Sequence, residues 1–283
     1  MINFAKFFDM NRRLYLFLFA VMLCAAPVQA QKTGISLSGG AALGYAHLGF
    51  LQAMDEAGIR PDCICGTSMG AVMGMMYAAG YRPQEIKEIV KKEHMDRIGG
   101  LFRFNLKHKG GLVSSRHLEK TLRKYIPHDC FDSLPLRFCC CVSDMNHLKA
   151  VYRGNGDSLI AYVLASAAMP GVFAPVRLGG AYCVDGGVHD NLPVQPLLDA
   201  GCEVRIASCL LIEQPSDDRK VKDIWLHAYS YCTFSTALSR LEKFTDVVSI
   251  DPGDLWLTDF RKIDELYEIG YRAGKAYFER SGH

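Results

Sequence analysis

The sequence predicts an α/β fold built on a parallel sheet, and two observations carry that expectation. From Gly34 onward, short apolar runs alternate with helical patterns along the whole chain. At two places a run passes through a glycine turn directly into a helical pattern, at Gly39–Gly44 and at Gly66–Gly70. Parallel strands need such crossover connections, whereas hairpin-joined strands do not.

The elements follow in order. Gly34 to Leu37 reads as a first strand, and Leu48, Leu51 and Met54 give Ala46 to Ala57 a helical period that Gly58 stops. Pro61 to Cys65 is a short second strand, followed by an apolar helix from Ala71 to Ala79. Pro83 opens another helix with Ile86, Ile89 and Val90 on one face. Residues 96–113 read as a mobile loop, with four glycines around Arg103, Lys107 and Lys109. A helix is expected at Arg116–Tyr125, paired strands at Arg137–Ser143 and Lys149–Tyr152, and a helix at Ser158–Ala168. Ala181–Val184, Val204–Leu211 and Val247–Ile250 read as strands, with long helical patterns near 219–244 and Thr258–Glu279. No linker divides these elements, so residues 31–283 are expected to form one domain.

The first thirty residues do not belong to that domain. Lys6, Arg12 and Arg13 precede an apolar run from Leu14 to Ala26, then Pro27 and a small-residue site ending at Ala30. That layout predicts a secretory signal peptide cleaved after Ala30, the run being short for a bilayer span. Its removal takes three basic groups and Asp9, leaving a formally neutral chain. A neutral chain offers no electrostatic footprint for nucleic acid. Ten cysteines remain, most inside β-like apolar runs. Neighbours in the run Cys139 to Cys141 point to opposite faces of a strand, and no paired C-x-x-C knuckles suggest metal. Mostly free thiols are expected.

Three motifs carry chemistry. Gly66-Thr67-Ser68-Met69-Gly70 is a G-x-S-x-G between a strand and a helix. Such a turn lifts the serine hydroxyl off the sheet edge, and a helix N-terminus behind it favours developing negative charge. Ser38-Gly39-Gly40-Ala41-Ala42-Leu43-Gly44 also joins strand to helix, and its small residues let backbone N–H groups converge on an anion. No Gly-Lys-Ser/Thr follows, which excludes a Walker loop, and two adjacent glycines do not fit a dinucleotide loop. Third, Val184-Asp185-Gly186-Gly187 places an acid at a strand end before two glycines. Such a turn lets another loop's hydroxyl approach the carboxylate.

In this order, and with the flanks Met169–Pro175 and Val188–Pro193, the three motifs resemble the patatin-like phospholipases over roughly residues 33–212, extending to Gly270-Tyr271. The resemblance implies a three-layer α/β/α patatin-like fold with a mainly parallel central sheet. It also implies a lipid acyl hydrolase of phospholipase A type, with Ser68 as nucleophile, Asp185 as base and an acyl-enzyme intermediate. The oxyanion would be held by N–H groups of Gly39, Gly40 and Ala41, with Met69. Lipid or phospholipid at a membrane surface is the expected partner, and no metal or organic cofactor is required. Where the family carries a third glycine and a basic residue, this chain has Ala41 and Leu43.

Two rival readings stay open from sequence alone. G-x-S-x-G also marks Ser-His-Asp hydrolases, for which His189, His147 and His227 are candidates, while His47 reads as packed. A catalytically impaired lipid-binding or effector protein is the other. Leu101, Phe102 and Phe104, among basic residues, either touch lipid or pack within a solvated loop. The signal peptide, with no barrel pattern before His283, points to a periplasmic or secreted protein.

Overall fold

The computed structural model describes residues 31–96, 103–104, 113–211 and 221–281. The expected signal peptide and most of the 96–113 stretch, including Leu101 and Phe102, lie outside the described residues. In chain order the elements begin with β1 (Thr33–Leu37), α1 (Ala46–Glu56), β2 (Cys63–Thr67), α2 (Met69–Ala78) and α3 (Pro83–Lys92). Then come β3 (Arg103–Phe104), β4 (Val113–Ser114), α4 (Arg116–Tyr125), β5 (Arg137–Asp144), β6 (Lys149–Arg153) and α5 (Leu159–Ser166). β7 (Val176–Leu178), β8 (Ala181–Asp185), α6 (Gln195–Asp199), β9 (Val204–Leu210), α7 (Val221–Leu238), β10 (Asp246–Ile250) and α8 (Ile263–Ser281) complete the chain.

The main sheet runs β10-β9-β1-β2-β5-β8-β7, with β6 also paired to β5. β10, β9, β1, β2 and β5 are mutually parallel, and β6, β8 and β7 are added antiparallel. The expected parallel sheet is therefore present with an antiparallel end. The paired strands Arg137–Ser143 and Lys149–Tyr152 appear as expected, as β5 and β6. β7 was not legible in the sequence: three residues at the end of a Gly/Pro-rich loop carry no period. The long helical pattern near 219–244 breaks after Leu238, and Leu241–Lys243 is a 3-10 turn.

Strand alternation sorts the core into two faces. Ile35, Leu37, Ile64, Phe138, Cys140, Ile206 and Leu210 face one layer and share its cluster with residues of α1, α2, α5 and α8. Cys63, Cys65, Cys139, Ala207 and Cys209 face the other, under Leu197 of α6 and Phe234 and Ala237 of α7. Gly34 shows why small residues line that second layer: a methyl group there would lie 2.8 Å from Leu197 Cδ2. Cysteine serves in this layer as a compact apolar filler. None of the ten described cysteines is paired in a disulfide.

One feature of the sheet places the site. β2 pairs with β5 as far as Thr67 opposite Cys141, and β8 pairs with it from Asp185 opposite Val142. β6 covers Cys140 to Asp144 and so occupies the other edge of β5. β2 and β8 therefore meet head to head along a single edge. The residues at their ends, Ser68 and Asp185, are thrown together across 117 positions of sequence.

Candidate active site

Ser68 stands between β2 and α2 with φ 55° and ψ −124°, outside the regions an L-residue prefers. Holding a serine there costs roughly 1–3 kcal/mol, which the surrounding contacts must offset. Gly70 permits the tight return: a methyl group on it would lie 2.5 Å from the carbonyl oxygens of both Leu37 and Ser38. Gly44, Gly66, Gly186 and Gly187 are crowded in the same way by Met69, Gly70, Cys141 and Asn191 respectively. The Ser68 N–H donates to Ser166 Oγ at 3.0 Å, and its carbonyl accepts from Ala71 and Val72. The turn is clamped from both sides.

Ser68 Oγ donates to Asp185 Oδ2 at 2.7 Å. The other carboxylate oxygen, Oδ1, accepts from Gly187 N–H at 2.8 Å, which fixes the rotamer. Asp185 is 2 % exposed. Burial pushes its carboxyl up to about 6, although the bonds from Ser68 and Gly187 favour the ionised form. A carboxylate ordinarily too weak to act as a base is thereby brought close to neutral pH.

The glycine loop lies beside the hydroxyl, and one of its expected donors is already spent. Gly39 N–H donates to the Asn191 carbonyl at 3.2 Å. It is committed to the scaffold, so Gly39 is corrected from donor to spacer: a side chain there would strike Asn191 and Ser68. The amides of Gly40, Ala41 and Met69 have no acceptor among the described residues. Ala41 sits at φ 47°, the left-handed region in which a third glycine would be at ease.

No histidine among the described residues bonds to Ser68 or Asp185. His47 is fully buried, its ring bridging the Ser38 carbonyl through Nε2 and Ser208 Oγ through Nδ1, both at 2.8 Å. His147 is held by Asp144 at 2.7 Å, and His227 stacks on Trp256. The Nδ1 atom of His189 is buried without a partner among the described residues.

A small cavity of about 20 Å³ is lined by Ser68, Asp185, Gly40 and Ala41, together with Met169 and Tyr229. It has room for about one water molecule. Among the described residues no helix is long and apolar enough to cross a membrane, and no cluster of three or more His, Cys, Asp or Glu side chains is suited to a metal ion.

Residues 35–198 match the patatin-like phospholipase family. The chain belongs to that family. The lysophospholipase nte1 of Aspergillus niger is 27 % identical over 286 residues, covering 88 % of this chain and 18 % of its own. The lysophospholipase NTE1 of Kluyveromyces lactis is 28 % identical over 293 residues, covering 90 % and 20 %. This patatin-like chain thus spans about a fifth of the length of those relatives. VipD from Legionella pneumophila superposes with a TM-score of 0.48 at 16 % identity, over 88 % of this chain and 67 % of that one. ExoU, in its complex with SpcU from Pseudomonas aeruginosa, gives 0.48 at 16 %, over 88 % and 51 %.

Several supports of this patatin-like site rest on contacts that no motif announced. The segment Asp190–Pro193 ties the motif strands together. Thr67 Oγ1 donates to the Asp190 carbonyl, while Ser36 Oγ and Cys65 Sγ donate to that of Pro193. Asp190 is itself buried and accepts from Tyr152 Oη at 2.6 Å. Ser166 and Tyr229 also carried no motif. Only the fold brings them to the site.

Proposed function

We propose that the chain is a phospholipase A or lysophospholipase-type acyl hydrolase working through a Ser68–Asp185 dyad and an acyl-enzyme. One observation supports this above the others: the 2.7 Å hydrogen bond from Ser68 Oγ to a buried carboxylate whose pKa is raised to about 6. In acylation Asp185 takes the hydroxyl proton as Ser68 Oγ bonds to the ester carbon. The carbonyl electron pair moves onto oxygen, where the amides of Gly40, Ala41 and Met69 would meet it. Collapse breaks the bond to the leaving oxygen, which receives the proton from Asp185. Water, activated by Asp185 in the second step, then releases the fatty acid.

In this reading the acyl chain approaches Ser68 past Met169 and the α7 side chains that line the cavity. We further propose export, with residues 1–30 as a signal peptide and 31–283 as the catalytic domain, and action at a lipid surface. A defined phospholipid and lysophospholipid mixture, treated with the protein and with Ser68→Ala, tests the function directly. Fatty acid release by the parent and none by the variant is expected. Equal release by both would overturn the assignment. N-terminal sequencing of exported protein should begin at Gln31, and a start at Met1 would reject cleavage.

A further inference from the structure

Tyr229 of α7 lines the same small cavity as Ser68 and Asp185, and its hydroxyl oxygen is buried with no hydrogen-bond partner among the described residues. Buried hydroxyls are nearly always paired, so an unpaired one on a residue that lines the cavity of the reacting groups calls for a partner, which a ligand atom can supply. The ring is fixed rather than loose. It stacks on Trp225 one helical turn earlier, with centroids 5.8 Å apart and planes at 16°. Trp225 in turn lies against Gly171, which is in the left-handed region at φ 79°. Neighbouring polar groups on the helix are already spent: Ser230 Oγ donates to the Leu226 carbonyl, and Thr233 Oγ1 to that of Ser230. Of these three hydroxyls, that of Tyr229 alone is unused among the described residues.

The phenol stays protonated, because burial, together with the nearby Asp185 carboxylate, pushes its pKa well above the ordinary tyrosine range. It is therefore a donor at working pH. Its neighbours in the cavity divide the remaining tasks. Gly40 and Ala41 carry free backbone amides suited to the carbonyl oxygen, whereas Tyr229 is close enough to Asp185 to feel its charge. The substrate atom that Asp185 must reprotonate is the leaving alkoxy oxygen.

We infer that Tyr229 is a catalytic residue that donates a hydrogen bond to the leaving-group oxygen of the ester while Asp185 delivers the proton. The inference rests on the dyad reading. Tyr229 keeps its own proton throughout. The proton that leaves with the alcohol is the one taken from Ser68, and the bond broken is that between the acyl carbon and the alkoxy oxygen.

Tyr229→Phe removes only the oxygen, leaving the ring stack in place, and two esters separate the roles. A lysophospholipid releases an alkoxide, which cannot depart unassisted. A p-nitrophenyl ester of the same acyl chain releases a phenolate that departs without a proton. For Tyr229→Phe, kcat/KM on the lysophospholipid should fall about tenfold or more, with KM little changed. The acylation burst on the p-nitrophenyl ester should stay within about twofold of the parent, with a thermal melt at or above the parent's. Equal loss on both esters would overturn the inference in favour of an oxyanion or structural role, and no loss on either would overturn it outright. Ser68→Ala, run alongside, keeps the two readings apart: if it retained turnover, the dyad itself would fail whatever Tyr229 does.

Discussion

His47 Nε2 donates to the Ser38 carbonyl at 2.8 Å, nine residues back along the chain, and so pins the start of the glycine loop to the helix that follows it. The carbonyl can only accept, which fixes the tautomer and leaves Nδ1 to accept from Ser208 Oγ. Burial lowers the His47 pKa to about 4, so the ring is neutral at ordinary pH. The histidine read as packed from sequence thus holds the loop.

That neutrality has a stability cost in acid. An unfolded histidine protonates near pH 6.5, whereas the folded one resists to about 4. The folded state should lose up to roughly 3 kcal/mol as pH falls through this window. Asp185 acts oppositely. Its raised pKa adds stability at low pH and withdraws it as pH climbs toward and through 6. The two effects overlap and largely cancel in the parent protein. His47→Gln should therefore show a melting temperature that rises on acidification from pH 6.5 to 4, relative to the parent profile. Parallel profiles would count against this account.

Asp185→Asn should separate function from stability. The amide can accept from Gly187 N–H and donate to Ser68 Oγ, so the shape is preserved. Turnover should drop about 10² to 10⁴-fold, since the base is gone. At pH 7.5 the variant should melt at or above the parent temperature, because no buried charge remains, with that advantage vanishing toward pH 4. A variant both inactive and unfolded would show that the carboxylate is needed for folding.

For the parent enzyme, kcat/KM should fall about tenfold for each pH unit below roughly 6, as Asp185 takes up a proton and loses the ability to accept one from Ser68. A profile flat down to pH 4 would place the base elsewhere.

Ala41→Gly should relieve the φ of 47° at that position. The folded-state gain of about 1 kcal/mol is partly offset by the freer unfolded glycine. Melting temperature and turnover are expected to stay level or rise. A clear loss of either would mean that the Ala41 methyl group contributes contacts of its own.

Ser166→Ala should leave the Ser68 N–H without its acceptor, destabilising by about 1–3 kcal/mol. Because that bond clamps the turn carrying the hydroxyl, turnover should fall as well, with KM nearly constant. Thermal melts and steady-state kinetics on one preparation would measure both.

The motifs were legible because each encodes a local conformational demand. Glycine at position 70 answers a close carbonyl approach, and Asp185 before two glycines answers a turn. Most helices and parallel strands followed from apolar period alone. What sequence could not reveal were long-range commitments. Gly39 looks like a donor until Asn191, 152 residues away, is folded against it. Tyr229 reads as one aromatic in a helical stretch until the fold turns it toward Ser68. Ser166 and Asp190 are polar residues whose partners no local pattern announces.

The head-to-head meeting of β2 and β8 also governs which changes in chain length the site can absorb. Between Ser68 and Asp185, loops can grow or shrink at the surface without altering the distance between the two side chains. A single residue inserted between Cys141 and Val142 is another matter. It would move one strand end about 3.3 Å along β5 relative to the other and break the hydrogen bond on which the chemistry depends. The spacing that matters for this pair is thus written in neither motif, but in the two consecutive residues of a third strand that carries no reacting group.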